Sequence, residues 1–138
     1  MPDDFQLSDL QLAIMRALWQ RGSAGVSEIQ SMLALAGREL APTTVSTLLS
    51  RLAKRGLVVA RRQGRAYIYQ PAIAENEIRT SMVSRVTDHL FDGDVTALVS
   101  HLLRQSDISR DDLAEVRRLI VEAERTKQTQ NEKDKDHE

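Results

Sequence analysis

Apolar residues recur at helical spacing over much of the chain, and at strand spacing in one short stretch. Leu7, Leu10, Ile14, Ala17 and Leu18 keep a helical period, with Met15 and Trp19 widening the apolar side. This predicts an amphipathic helix, capped by Ser8 or Asp9 and ended by Gly22. Trp19 reads as a packing residue. After a short link over residues 23–26, Ser27 is expected to cap a second helix. Its Ile29, Met32, Leu33 and Leu35 should face inwards, with Gly37 closing it.

The third periodic stretch, residues 42–55, organises the others. Pro42 suits a first helical turn, where its missing N–H costs nothing, and Ala41 before it is biased to extended geometry. Gly56 can supply the left-handed residue that ends the helix. At 100° per residue, Val45, Leu48, Leu49 and Leu52 form one narrow stripe. Thr43, Thr47, Ser50 and Lys54 form the opposite stripe, flanked by Ser46 and Arg51. Short hydroxyls approach closely, and basic tips reach phosphates or guanine, so such a face suits a major groove. A solvated surface helix would mix in acids, as other helices of this chain do.

The period then shortens. Residues 57–60 are rich in β-branched side chains, residues 61–65 (RRQGR) read as a turn, and residues 66–70 (AYIYQ) as a returning strand. Three helices and a basic-tipped hairpin make a winged helix-turn-helix, with Arg61, Arg62 and Arg65 available to phosphates or the minor groove. Beyond Pro71 the helical period returns. Ile78, Met82, Val86 and Leu90 form one stripe. Val95, Leu98, Val99, Leu102 and Leu103 form a short apolar helix, and Leu113, Val116, Leu119, Ile120 and Ala123 a last one. Residues 125–138 are polar and aperiodic, and are expected to be a disordered tail. The expected fold is therefore mainly α with a small β-hairpin wing: a winged-helix domain over 1–71, a helical domain over 72–124 and the tail. The helical domain can hardly bury its stripes alone. Ile78, Met82, Val86, Leu90, Leu98, Val99, Leu102, Leu103, Val116, Leu119 and Ile120 are accordingly assigned to a homodimer interface.

Charge sharpens this division. The net charge of −1 hides an asymmetry. Residues 1–70 hold nine Lys/Arg against five Asp/Glu, and residues 71–138 hold ten against fifteen. From Pro42 to Gln70 there is no acid, so the basic surface lies in the first half. The absence of cysteine excludes disulfides, zinc-thiolate sites and a cysteine nucleophile, and fits a reducing cytoplasm. No signal peptide or membrane-length apolar run is read, so no membrane insertion is expected. His89, His101 and His137 are scattered, no Gly-rich phosphate loop or strained nucleophile motif occurs, and neither enzymatic activity nor a cofactor is expected.

Four stretches resemble one family: LSDLQLAIMRALWQRG (7–22), APTTVSTLLSRLAKRGLV (41–58), GRAYIYQP (64–71) and, less specifically, DISRDDLAEVRRLI (107–120). The chain resembles the penicillinase-repressor, or BlaI/MecI/CopY, regulators over residues 7–124. The resemblance implies a winged-helix homodimer that represses genes from a dyad operator in double-stranded DNA. It places Thr43, Thr44, Ser46, Thr47 and Arg51 at DNA-facing helix positions, with small hydroxyls at Thr43 and Ser46 where the known repressors often carry Lys or Arg. It also implies, for the β-lactam branch, a membrane sensor-protease pathway that cuts the repressor at an Asn-Phe bond. His101-Leu102 occupies that place here and matches neither residue of the pair; it is the expected cleavage position in this chain. The copper branch senses metal through cysteines, which this chain lacks. The expected function is β-lactam-responsive or related repression, ended by proteolysis or by ligand-driven release. A protein-interaction winged helix and a DNA-binding activator or architectural protein are the alternatives.

Overall fold

The computed structural model describes residues 6–105 and 107–136. In chain order the elements are α1 (Asp9–Arg21), α2 (Val26–Leu35), α3 (Pro42–Lys54), β1 (Val58–Gln63), β2 (Ala66–Pro71), α4 (Glu75–Phe91), α5 (Val95–Leu103) and α6 (Arg110–Asp136). The chain divides into two compact units, residues 1–93 and 94–138. The first is therefore longer than the expected domain over 1–71.

Residues α1 to α3 and the hairpin share one core. Ser8 caps α1 through a reciprocal box: its hydroxyl accepts from the Gln11 N–H at 3.2 Å, and Gln11 Oε1 accepts from the Ser8 N–H at 3.0 Å. The buried faces supply Ile14, Met15 and Leu18 from α1, Ile29 and Leu33 from α2, and Val45, Leu49 and Leu52 from α3. Leu57, Val58 and Tyr69 close the core from the hairpin side. Trp19 is half-buried and packs against this core, and its indole N–H donates to the Ile73 carbonyl at 2.9 Å.

Two details of α2 differ from expectation. The helix is entered from Gly25, not Ser27, and the Glu28 carboxylate accepts from the Gly25 N–H at 3.3 Å. The cause is tertiary. Ala24 exchanges backbone hydrogen bonds with Tyr69 of β2, at 3.0 and 2.9 Å, which holds the chain extended until Gly25. Leu35 does not face inwards but is 91% exposed. It occupies the last position of the helix, about 200° around from Leu33.

The interface assignment of Ile78 also needs correction. This residue is 1% exposed and belongs to the first unit's own core, with Met82 packed partly against it. The α4 stripe is thus divided. Its first half is covered within the chain, whereas Val86 and Leu90 lie exposed. Asp92 takes the left-handed conformation that ends α4 (φ 51°).

In the second unit, Asp94 caps α5 by accepting from the Ala97 N–H at 3.1 Å, and the Ser109 hydroxyl accepts from the Asp112 N–H at 3.0 Å to start α6. No residue of α5 or α6 is buried. The expected disordered tail is helical as far as Asp136. Residues 124–136 contain no Gly or Pro and are rich in Glu, Lys, Gln and Arg, so a helix already nucleated at Ser109 propagates through them. Arg118 bonds to both Glu115 and Glu122, and its guanidinium holds the Glu115 carboxyl below the usual carboxylate range. Residues 137 and 138 of that tail, residues 1–5 of the first expected domain and Ser106 lie outside the described residues. Among the described residues, no helix is long and apolar enough to cross a membrane.

Candidate nucleic-acid interface

The outer face of α3 is set by how its ends are fixed. Ala41 is extended (ψ 150°), Pro42 occupies the first helical turn, and no acid sits there to offset the positive helix end. Upstream, Gly37 adopts φ 87°, which lets the Arg38 N–H reach back to the Leu33 carbonyl at 2.8 Å and close α2. The Gln30 side chain donates to the Leu40 carbonyl at 3.0 Å, fastening the connection that leads into α3. Downstream, Gly56 takes φ 77° and the Leu57 N–H reaches the Leu52 carbonyl at 3.0 Å, turning the chain directly into β1.

With Val45, Leu49 and Leu52 buried and Leu48 half-buried, the opposite face is presented outwards. Thr43, Thr44, Thr47, Ser50, Arg51 and Lys54 are exposed, and Ser46 is half-buried at the flank. Arg55, the C-cap of α3, is exposed beside them and was not among the expected site residues. Its position as the third cation after Arg51 and Lys54 was the available signal.

The hairpin is more regular than expected. The turn is not the five-residue segment 61–65; pairing continues to Gln63 opposite Ala66, leaving only Gly64 and Arg65 as the loop. Gly64 has φ 66°, and Arg65 is not at positive φ, the pattern of a two-residue turn that matches strand twist. Arg61 and Arg62 are therefore strand residues. Successive strand side chains point to opposite faces, so the two arginines diverge. Arg61 stands opposite Ile68, and Arg62 opposite Tyr67, which is 52% exposed. Tyr67 is a second residue the sequence reading left out, and the strand register is what associates it with Arg62. The double backbone link between Ala24 and Tyr69 ties the wing to the segment between α1 and α2. Arg61, Arg62 and Arg65 are all exposed, and the whole surface from Pro42 through the wing lacks a carboxylate side chain.

Residues 7–122 match the penicillinase repressor family. The chain belongs to that family. It is 34% identical over 121 residues to the transcriptional regulator BlaI of Mycobacterium tuberculosis, covering 86% of each chain. It is 25% identical over 117 residues to the penicillinase repressor of Bacillus licheniformis, covering 85% of this chain and 91% of the other. Among solved structures, the YusO protein of Bacillus subtilis shares the fold at a TM-score of 0.51 and 15% identity, over 86% of this chain and 75% of that one. The acid-free surface of α3 and the wing thus belongs to a winged-helix transcriptional repressor.

Proposed function

We propose that this protein represses transcription by binding a dyad operator as a homodimer in the cytoplasm. The observation that carries this reading is the exposed, acid-free face of α3 continuing into an arginine-bearing wing. Thr43, Thr44, Ser46, Thr47 and Ser50 approach base edges in the major groove, and Arg51, Lys54, Arg61, Arg62 and Arg65 neutralise phosphates. A second copy covers the apolar faces of α5 and α6, chiefly Leu98, Val99, Leu102, Leu103, Val116, Leu119 and Ile120. Two reading heads then meet two half-sites. The exposed Val86 and Leu90 of α4 join that interface.

Binding to the chain's own upstream region is tested by titration at several salt concentrations. A dimer that neutralises on the order of 8 phosphates gives a log–log slope of about −7. An affinity that stays flat from about 50 to 200 mM salt refutes the DNA assignment. Deletion of the gene raises expression of its target, whereas loss of an activator lowers it.

Repression ends by proteolysis within α5, near His101-Leu102, in response to a β-lactam sensed by a membrane sensor-protease. Both residues are exposed, and a helix of 9 residues opens locally at small cost. The cut detaches α6 from the wing domain and removes apolar cover, turning one bivalent encounter into two weaker ones. An immunoblot of the host before and after β-lactam exposure distinguishes the outcomes. A fragment ending near His101 supports the cut, and an intact band throughout derepression rejects it.

A further inference from the structure

The first unit carries a cleft that DNA recognition does not use. It lies between α1 and α4, with a volume of ≈ 250 Å³. Its apolar lining comes from Leu12, Trp19, Ile78, Met82 and Val83, and its polar lining from Arg16, Arg79 and Glu75. None of these belongs to α3 or the wing. Leu12, Arg16 and Trp19 follow one another at helical spacing on α1, and Glu75, Ile78, Arg79, Met82 and Val83 do so on α4. Trp19 forms a fixed wall, because its N–H is anchored on the Ile73 carbonyl.

The charges of the cleft do not balance. Glu75 is its one acid, and it already faces Arg79 at 3.7 Å on the same helix. Arg85, one turn beyond Met82, is engaged by the Gln6 side-chain carbonyl. Among the described residues, Arg16 pairs with no acid. An uncompensated guanidinium beside an apolar floor suits a ligand with a carboxylate at one end and a compact hydrocarbon body. The cavity is slightly smaller than the roughly 300 Å³ at which drug-sized sites begin, which restricts the body to about ten heavy atoms.

We propose that this cleft binds a small apolar monocarboxylate, with Arg16 holding the carboxylate and Trp19, Met82 and Leu12 covering the hydrocarbon. Charge complementarity selects this occupant: a neutral apolar ligand leaves Arg16 unused, and a dianion carries more charge than the single free guanidinium answers. A planar, delocalised guanidinium is well matched to a carboxylate, with two parallel N–H donors for two oxygens.

The full chain contains one tryptophan, and it lines the cleft, so its emission reports occupancy directly. The probe is octanoate, with octanamide as a neutral counterpart of equal length, and calorimetry as a second readout. Octanoate should change Trp19 emission saturably, with a Kd of about 10⁻³ to 10⁻⁴ M for a ligand of this size. Octanamide should bind about tenfold more weakly, and Arg16→Gln should bring octanoate down to the octanamide level. Arg16 is exposed, so circular dichroism should show the variant folded; if it does not, Arg16→Lys, which keeps the charge, should retain most of the octanoate response. Equal binding of acid and amide, or no saturable response below about 10⁻² M, overturns the proposal. So does a response that vanishes as protein concentration rises while the molar mass increases, since a second copy of the chain then fills the cleft.

Discussion

The two units of this chain use apolar residues in opposite ways. In residues 1–93, apolar side chains from four helices and a hairpin converge, and every buried hydrophobic residue of the described chain lies there. In residues 94–138, α5 is strongly apolar and α6 carries a regular stripe, yet no described residue there is buried. The contrast is one of enclosure. Four helices and a hairpin surround a common volume, whereas two helices offer each other too little surface to exclude water. An apolar face that its own unit cannot cover is the physical argument for a second copy.

The sharpest way to break this comparison is to make the same kind of change in both units. Leu49→Ala opens a cavity under α3 and should cost about 2–5 kcal/mol. The thermal midpoint of the first unit should fall by about 8–40 °C, since each kcal/mol is worth about 4–8 °C in a domain of this size. Leu102→Ala should leave that midpoint nearly unchanged. A comparable fall for both would mean that Leu102 is enclosed as Leu49 is.

A charge on the outer face of α5 comes next. Leu102→Asp buries an unpaired carboxylate if that face meets a partner. The variant should be monomeric by light scattering, bind the full operator about 10²-fold more weakly, and keep a folded first unit. A variant that remains dimeric with normal affinity removes Leu102 from the interface.

Within the first unit, the helix and the wing should separate by their effects. Thr47→Ala should alter the ranking of operator sequences by about 1–3 kcal/mol at one position and leave the salt slope alone. Arg62→Ala should weaken all sequences alike and reduce the slope by about 1 per neutralised phosphate. Because Arg61 and Arg62 point to opposite faces of the hairpin, Arg61→Ala and Arg62→Ala should also differ from each other. Equal losses would imply a wing that lies between two phosphate surfaces.

The smallest effect concerns α6. The hydrogen bond from Arg118 holds the Glu115 carboxyl below its ordinary range. A depressed carboxyl contributes stability above the unfolded-state range near pH 4.3, and that contribution is lost as pH falls through the folded value. Helical circular dichroism of the second unit should therefore decline slightly between about pH 5 and pH 3. Glu115→Gln should flatten that decline; an unchanged profile would assign it to other acids.

How much of this was legible in the sequence follows from what each feature depends on. Ser8, Gly22, Pro42 and Gly56 mark helix ends because capping and backbone conformation are local properties. The α3 face was legible for the same reason: helical spacing alone sets Thr43, Thr47, Ser50 and Lys54 opposite Val45 and Leu49. Arg55 and Tyr67 were not, since the first lies at a helix end and the second joins Arg62 only through strand register.

The sequence by itself determined the helices, the hairpin, the acid-free surface and the asymmetry of charge, because these rest on periodicity and residue type over a few turns of chain. Tertiary structure alone decided the rest. It started α2 at Gly25 through the Ala24–Tyr69 link and drew Ile78 into the first core. It also carried pairing to Gln63, so that neighbouring arginines diverge, and joined α1 to α4 around a cleft with one unanswered guanidinium. Each of these depends on which distant segment a residue meets, and periodicity along a chain carries no record of that.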